Sequence, residues 1–298
     1  MDLSNNAIHD ITPLSQMQDV VLLMLNNNRV SDLSPLSNLQ SLSDLWLEDN
    51  AVMDVSPLTT VSTLHDIGLS GNPLSDISPL SSLHNLDCLR IAYTSVRDLS
   101  PLSGLTGLME LYVSHTPVTD FRCVSNLTNL GDFTAESCNI RDISFVRPLE
   151  ALESLYLNDN HISDLTPLLN KDSLAWFEAR NNEITDGSPL TGLPSLLYLD
   201  LKGNGISDIS FAASLAKLCH LDIGGTHVTD LSPLEHRESL SWLEAGDGLI
   251  SDLSPLAGLN RLYEVHLQNN LIRDISPLAN LTDLRELDLR GNPLNEDA

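Results

Sequence analysis

Aromatic residues make up only 4% of this 298-residue chain, and bases are outnumbered, with 15 Lys and Arg against 41 Asp and Glu and a net charge of −26. That balance disfavours nucleic acid and anionic membrane surfaces, both of which need a basic face. It favours a basic protein partner, or simply solubility. Cysteine is sparse too: Cys88, Cys123, Cys138 and Cys219 make no CxxC pair, which argues against a disulfide or zinc framework. The longest apolar run, Val20 to Leu25, is far too short to cross a bilayer, so no direct membrane insertion is expected. No nucleophile elbow, P-loop or HExxH occurs in a supporting context. The chain therefore reads as non-enzymatic, with no cofactor.

What the sequence has is a period. From Asp10 to Asp274, thirteen aspartates recur every 22 residues without insertion or deletion. Aligned on this ruler, a second position reads Asn6, Asn28, Asn50, Asn72, Thr94, Thr116, Cys138, Asn160, Asn182, Asn204, Thr226, Gly248, Asn270 and Asn292. Apolar residues stand three, five and eight places before it, as in Leu157, Leu155 and Leu152, and an Ile, Val or Leu follows two places after. A 20–29-residue period with an LxxLxLxxN core is the leucine-rich-repeat signature. The alternation before the Asn predicts a short strand with one buried face. The Asn side chain is expected to satisfy backbone groups where the chain leaves the strand, forming a ladder through stacked repeats.

Each Asp precedes an apolar residue, then Ser or Thr, Pro and Leu. Ser or Thr before Pro reads as an N-cap followed by Pro at the first helical position, in a turn short enough to be 3₁₀. The Asp is expected to accept backbone N–H groups there. Phe121-Arg122-Cys123-Val124, Ser144-Phe145-Val146 and Ser210-Phe211-Ala212 depart from the pattern but keep its apolar spacing. They should distort the turns without shifting the register. Gly187, in an Ile position, reads as a further local defect. The expected fold is α/β: a right-handed leucine-rich-repeat solenoid (horseshoe) with a parallel β-sheet on its concave side and short 3₁₀ or loop segments on the convex side. It is expected to be one solenoid over 1–298 with about 13 repeats of 22 residues. Met1 falls in a strand position and the chain ends on GNPLNEDA, so N- and C-terminal caps are expected to be missing.

The wording of the repeat, carried by stretches such as LRELDLRGNPL at 284–294 and DLSPLAGL at 252–259, resembles the 22-residue repeats of bacterial internalins and of the related phosphatase-regulator type. The resemblance covers nearly the whole chain. It implies recognition of a macromolecule through the concave strand face, and a secreted or cell-surface location. A scaffold of the phosphatase-regulator kind and a spacer within a larger surface protein are the competing roles.

The alignment also assigns the outward side chains, which lie six, four and two places before the Asn position. All three tryptophans (Trp46, Trp176, Trp242) fall in these rows, with Tyr112, Tyr156 and Tyr198. Tyr93 sits beside them and Tyr263 elsewhere. A repeat scaffold does not require large aromatics on an exposed sheet, and Trp and Tyr are frequent hot-spot residues. The bland reading is that they fill the surface by cross-strand packing. The densest group places Trp176, Tyr198, His220 and Trp242 side by side. Next to it runs a row of Glu178, Asp200, Asp222 and Glu244, then His266. Four neighbouring acids should raise one another's pKa unless a cation lies among them. Arg180 and Lys202 flank them. A basic protein or peptide segment with apolar residues for the rings is the expected partner. His220, Asp222, Glu244 and His266 could in principle approach a metal, but read as a solvated polar face. The sequons at Asn126 and Asn280 read as repeat wording rather than glycosylation signals.

Overall fold

The computed structural model describes residues 1–295; the final Glu296, Asp297 and Ala298 of the expected uncapped end lie outside the described residues. The chain forms two compact units. One comprises Met1–Asn139 with Phe145–Leu152, and the other comprises Ile140–Ser144 with the chain from Glu153 onward.

The first unit holds β1 (Leu22–Met24), β2 (Asp44–Trp46), β3 (Asp66–Gly68), β4 (Cys88–Arg90), β5 (Glu110–Tyr112) and β6 (Asp132–Thr134). They pair in parallel and in chain order, each residue opposite the one 22 places on. The second unit holds β7 (Ser154–Tyr156), β8 (Trp176–Glu178), β9 (Tyr198–Asp200), β10 (His220–Asp222), β11 (Trp242–Glu244), β12 (Glu264–His266) and β13 (Glu286–Asp288). Its register is the same. Strands therefore sit where the alternation predicts, and a 3₁₀ turn lies between successive strands.

The core is built repeat by repeat. Around β11, Leu240, Leu243, Ala245, Ile250, Leu253, Leu256 and Leu259 are all buried. Full burial of each larger side chain contributes about 1.5–3 kcal/mol. Among the described residues, no helix is long and apolar enough to cross a membrane.

The Asn ladder forms as expected. Asn72 donates its Nδ2 to the carbonyls of Leu47 (2.8 Å) and Leu69 (2.9 Å), while its Oδ1 accepts the Val52 N–H at 2.8 Å. One side chain thus ties two repeats together. Thr94, Thr116 and Thr226 each donate to the carbonyl three residues earlier in their own repeat, and the Thr116 hydroxyl also lies 3.9 Å from Cys138 Sγ of the next. Immediately before the Asn position the backbone takes a left-handed conformation, as at Asn27 (φ 57°), Asp49 (φ 54°) and Gly203 (φ 69°), a region that Asn, Asp and Gly tolerate best. Tyr93 (φ 55°) and His115 (φ 57°) hold it too, and their rings stack at 4.2 Å.

The turns correct one expectation. The Ser or Thr is not the N-cap but the first residue of the 3₁₀ turn, with the preceding apolar residue at the cap. The capping acceptor is the Asp two places earlier: Asp54 Oδ1 accepts the Ser56 N–H at 2.8 Å, and Oδ2 accepts its hydroxyl at 2.9 Å. A carboxylate reaches the orphan N–H from outside the turn, where the short Ser side chain would have to fold back on itself. These bonds hold Asp10, Asp32, Asp54, Asp76, Asp186, Asp252 and Asp274 below the usual carboxylate range.

The irregular turns keep their register. Val124, Val146 and Ala212 are fully buried, and Phe121, Phe133 and Phe145 form an aromatic cluster with centroids 5.5–6.3 Å apart. Gly187 is a complement rather than a defect, because the space beside it is filled by the Phe211 ring.

Candidate interaction surface

In the second unit, the first residue of each strand points away from the core, and the 22-residue register sets these residues opposite one another. Trp176 faces Tyr198, Tyr198 faces His220, and His220 faces Trp242. The strand spacing of about 4.8 Å is slightly more than ring thickness, so the rings close up. Centroids lie 3.9 Å apart for Trp176–Tyr198, 3.9 Å for Tyr198–His220 and 3.7 Å for His220–Trp242, with interplanar angles of 5°, 15° and 7°. The stack stops at His266, whose ring is tilted 49° from Trp242 at 5.9 Å. Both faces of Tyr198 and His220 are therefore covered, and these rings offer their edges to solvent. Burial between its neighbours pushes the His220 imidazole down to about 4. Trp176 is the most open of the four, 36% exposed.

The third residue of each strand supplies the carboxylates. They do not project as a charged row. Asp200, Asp222 and Glu244 are 4%, 7% and 8% exposed, because each turns down onto the backbone two residues ahead. Asp200 Oδ1 accepts the Lys202 N–H at 3.0 Å, Asp222 Oδ1 that of Gly224 at 2.9 Å, and Glu244 Oε1 that of Gly246 at 2.9 Å. Gln268 Nε2 adds a 2.9 Å bond to Glu244. Gly224 and Gly246 make this possible, since a Cβ at either would press on the Glu244 carboxylate. Burial is the main reason that Asp200 is raised and Asp222 is pushed to about 7; repulsion among the acids is secondary. For Asp200 and Asp222 the expectation had the direction right and the leading cause wrong. Glu178 differs in receiving two neutral side-chain donors, Trp176 Nε1 at 2.9 Å and Asn158 Nδ2 at 2.8 Å. Tyr156 stands opposite it in register.

The four residues weighed for a metal do not form a donor group. His220 belongs to the stack, and Asp222 and Glu244 are turned onto backbone. Among the described residues, Glu264, His266 and Glu286 instead bring one donor atom each within 4.8 Å of one another. His266 Nε2 and Glu264 Oε1 lie 2.7 Å apart, and that bond holds the Glu264 carboxyl below its usual range.

In the first unit, the other two candidate aromatics do not stack on each other. Trp46 and Tyr112 flank Arg90, whose guanidinium carbon lies 5.0 Å from the Trp46 ring centroid and 4.6 Å from that of Tyr112. Gly68, on the strand between Trp46 and Arg90, leaves the gap that lets them meet. Arg90 is the one Arg or Lys in its outward row; this was the signal for the clamp. Tyr112 donates its hydroxyl to Glu110 at 3.0 Å. Burial pushes Asp66 and Asp132 up to about 6 and the Cys88 thiol up to about 12, so that thiol is a poor nucleophile. Tyr93 is the more accessible aromatic here, 63% exposed.

The repeats define a leucine-rich-repeat protein, and residues 264–298 match the family model described as Leucine Rich repeats (2 copies). Among solved structures, an internalin (InlF) of Listeria monocytogenes is similar over 99% of this chain and 81% of its own, with 32% identity and a TM-score of 0.77. On that likeness the chain belongs to the internalin-type leucine-rich-repeat family. A leucine-rich-repeat protein of Leptospira interrogans covers 99% of this chain and 72% of its own at 20% identity and a TM-score of 0.83. The plant peptide hormone receptor RGFR1, solved in complex with RGF2, covers 95% of this chain and 53% of its own at 18% identity and a TM-score of 0.74; both show the shared fold. No curated protein sequence matches the chain.

Proposed function

We propose that the protein is a non-catalytic binding module. It recognises a protein or peptide of basic character through the aromatic row Trp176–Tyr198–His220–Trp242 on the strand face of its second unit. The observation that carries this reading is the row itself. Four large rings in consecutive repeats occupy outward positions that the fold leaves free for any residue, and their edges form a rigid, amphipathic strip. Rings already ordered by stacking lose little conformational freedom on binding. The net charge of −26 draws in a basic partner at long range. A fold shared with a plant peptide hormone receptor solved in complex with RGF2 is in keeping with a peptide as the partner. The kinship with an internalin supports a secreted or surface setting.

The spacer role has one observation in its favour, because the rings satisfy one another without a partner. Panning a random peptide display library against the full chain separates the two. A recognition face enriches peptides combining Lys or Arg with apolar residues, and these elute as salt rises because screening weakens the attraction. A spacer returns no enriched sequence.

A further inference from the structure

The stack has two ends, and they differ. At Trp242 the row is closed by the tilted His266 ring, with its centroid 5.9 Å away. At Trp176 the residue opposite on β7 is Ser154, too small to cover an indole. Among the described residues no second ring stacks on Trp176, which is 36% exposed, while both faces of Tyr198 and His220 are used. Trp176 is fixed in that pose from behind by Tyr198, 3.9 Å away and 5° from parallel, and from the side by the 2.9 Å bond from its Nε1 to Glu178.

Glu178 is the second part of the site. Its two oxygens are held by Trp176 Nε1 and Asn158 Nδ2, at 2.9 and 2.8 Å. Both donors are neutral, so they orient the carboxylate without cancelling its charge. It also differs from Asp200, Asp222 and Glu244, which are turned onto main-chain N–H groups and almost wholly buried. Among the four acids of this row, Glu178 is thus the one placed to meet a partner's cation.

Resting on the recognition role proposed above, we infer that the open end of the stack is the receptor for one arginine side chain of the partner. Its guanidinium lies over Ser154 as the next plane of the series, against the free face of Trp176, with Glu178 supplying the opposite charge. A planar cation suits the site better than an ammonium. It can stack in parallel on an indole and still direct N–H groups sideways to a carboxylate, and cations are drawn to the negative face of tryptophan most strongly of all the aromatics. The first unit shows the chain using the same chemistry within itself, with Arg90 between Trp46 and Tyr112.

The test follows the three indole N–H resonances of the ¹⁵N-labelled full chain, assigned by single Trp→Phe variants. The protein is titrated with the capped tripeptide acetyl-Gly-Arg-Gly-amide, its lysine counterpart and its neutral citrulline counterpart. The Trp176 signal should shift saturably with the arginine peptide while Trp46 and Trp242 stay in place. The citrulline peptide should bind roughly fivefold more weakly or worse, as expected for loss of a cation–π partner. Ser154→Phe, which extends the stack over the open face in a row that already carries Trp and Tyr, should abolish the shift. Glu178→Gln should weaken it. A shift at Trp46 or Trp242 in place of Trp176, equal binding of citrulline or lysine, or a response undiminished in Ser154→Phe would overturn the inference. The recognition role is read separately. If display-selected peptides still lose binding with Tyr198→Ser while the arginine peptide leaves Trp176 unmoved, the end site is wrong and the recognition face stands. If no selected peptide depends on the row, the recognition face itself is wrong.

Discussion

The Phe211 ring occupies the space that a side chain at residue 187 would need. Other repeats carry Ile, Leu or Val before Ser-Pro-Leu. Here one repeat has Gly187, and the next replaces its Pro with Phe211, a buried ring. Two departures from the repeat thus cancel. Restoring the pattern at one of them alone should fail: Gly187→Ile overpacks the wall and should cost about 1–3 kcal/mol. Gly187→Ile with Phe211→Pro removes the collision and should recover part of that loss. Denaturant melts of the two single variants and the double variant measure the coupling, and strictly additive losses would contradict the compensation.

The Asn ladder makes a second prediction. Asn204 donates to the carbonyls of Ala179 (2.8 Å) and Leu201 (2.9 Å) and accepts the Ile184 N–H at 3.0 Å. Asn204→Ala strands these buried backbone groups, each worth about 1–3 kcal/mol when left unmet. Asn204→Thr should cost less, since the Thr226 hydroxyl shows that threonine still reaches the carbonyl within its own repeat at 2.6 Å. Equal destabilisation by the two, measured in urea, would show that the bond within the repeat contributes nothing.

His220 and Asp222 should pull stability in opposite directions with pH. His220 is lowered from 6.5 to about 4, so between those values the unfolded chain binds more protons and stability falls as pH falls,. Asp222 is raised from 3.8 to about 7, so between those values the folded chain binds more protons and stability falls as pH rises,. In the intact protein the two slopes partly offset one another across the shared window. Asp222→Asn should expose the histidine slope, with greater stability towards neutrality. His220→Phe, which preserves a ring in the stack, should expose the opposite slope. Chemical denaturation at a series of pH values decides it, and identical profiles for the two variants would refute the assignment.

The period made the strand positions, the buried apolar ladder, the Asn and Asp bonds and the outward rows legible before any coordinates, because each follows from a fixed register and from alternation along a strand. Three features stayed hidden. That Tyr198 and His220 would spend both faces on neighbours depends on side-chain rotation, which register does not specify. That Asp222 and Glu244 would fold onto backbone depends on Gly224 and Gly246, whose missing side chains read only as blanks in an outward row. The match of Gly187 to Phe211 joins different positions of adjacent repeats, so aligning like with like cannot reveal it.

The central claim, that the aromatic row of the second unit is the recognition face, is tested most directly by calorimetry. A display-selected peptide is titrated into Trp176→Ala and Trp242→Ala, and into Trp46→Ala and Tyr112→Ala, each first checked for an unchanged melting temperature. The first pair should each weaken binding by at least about tenfold, as hot-spot truncations do. The second pair should change it by no more than about twofold, as expected for residues outside the contact. Loss of binding in Trp46→Ala and Tyr112→Ala, with Trp176→Ala and Trp242→Ala unaffected, would place recognition on the Arg90 clamp of the first unit and contradict the account.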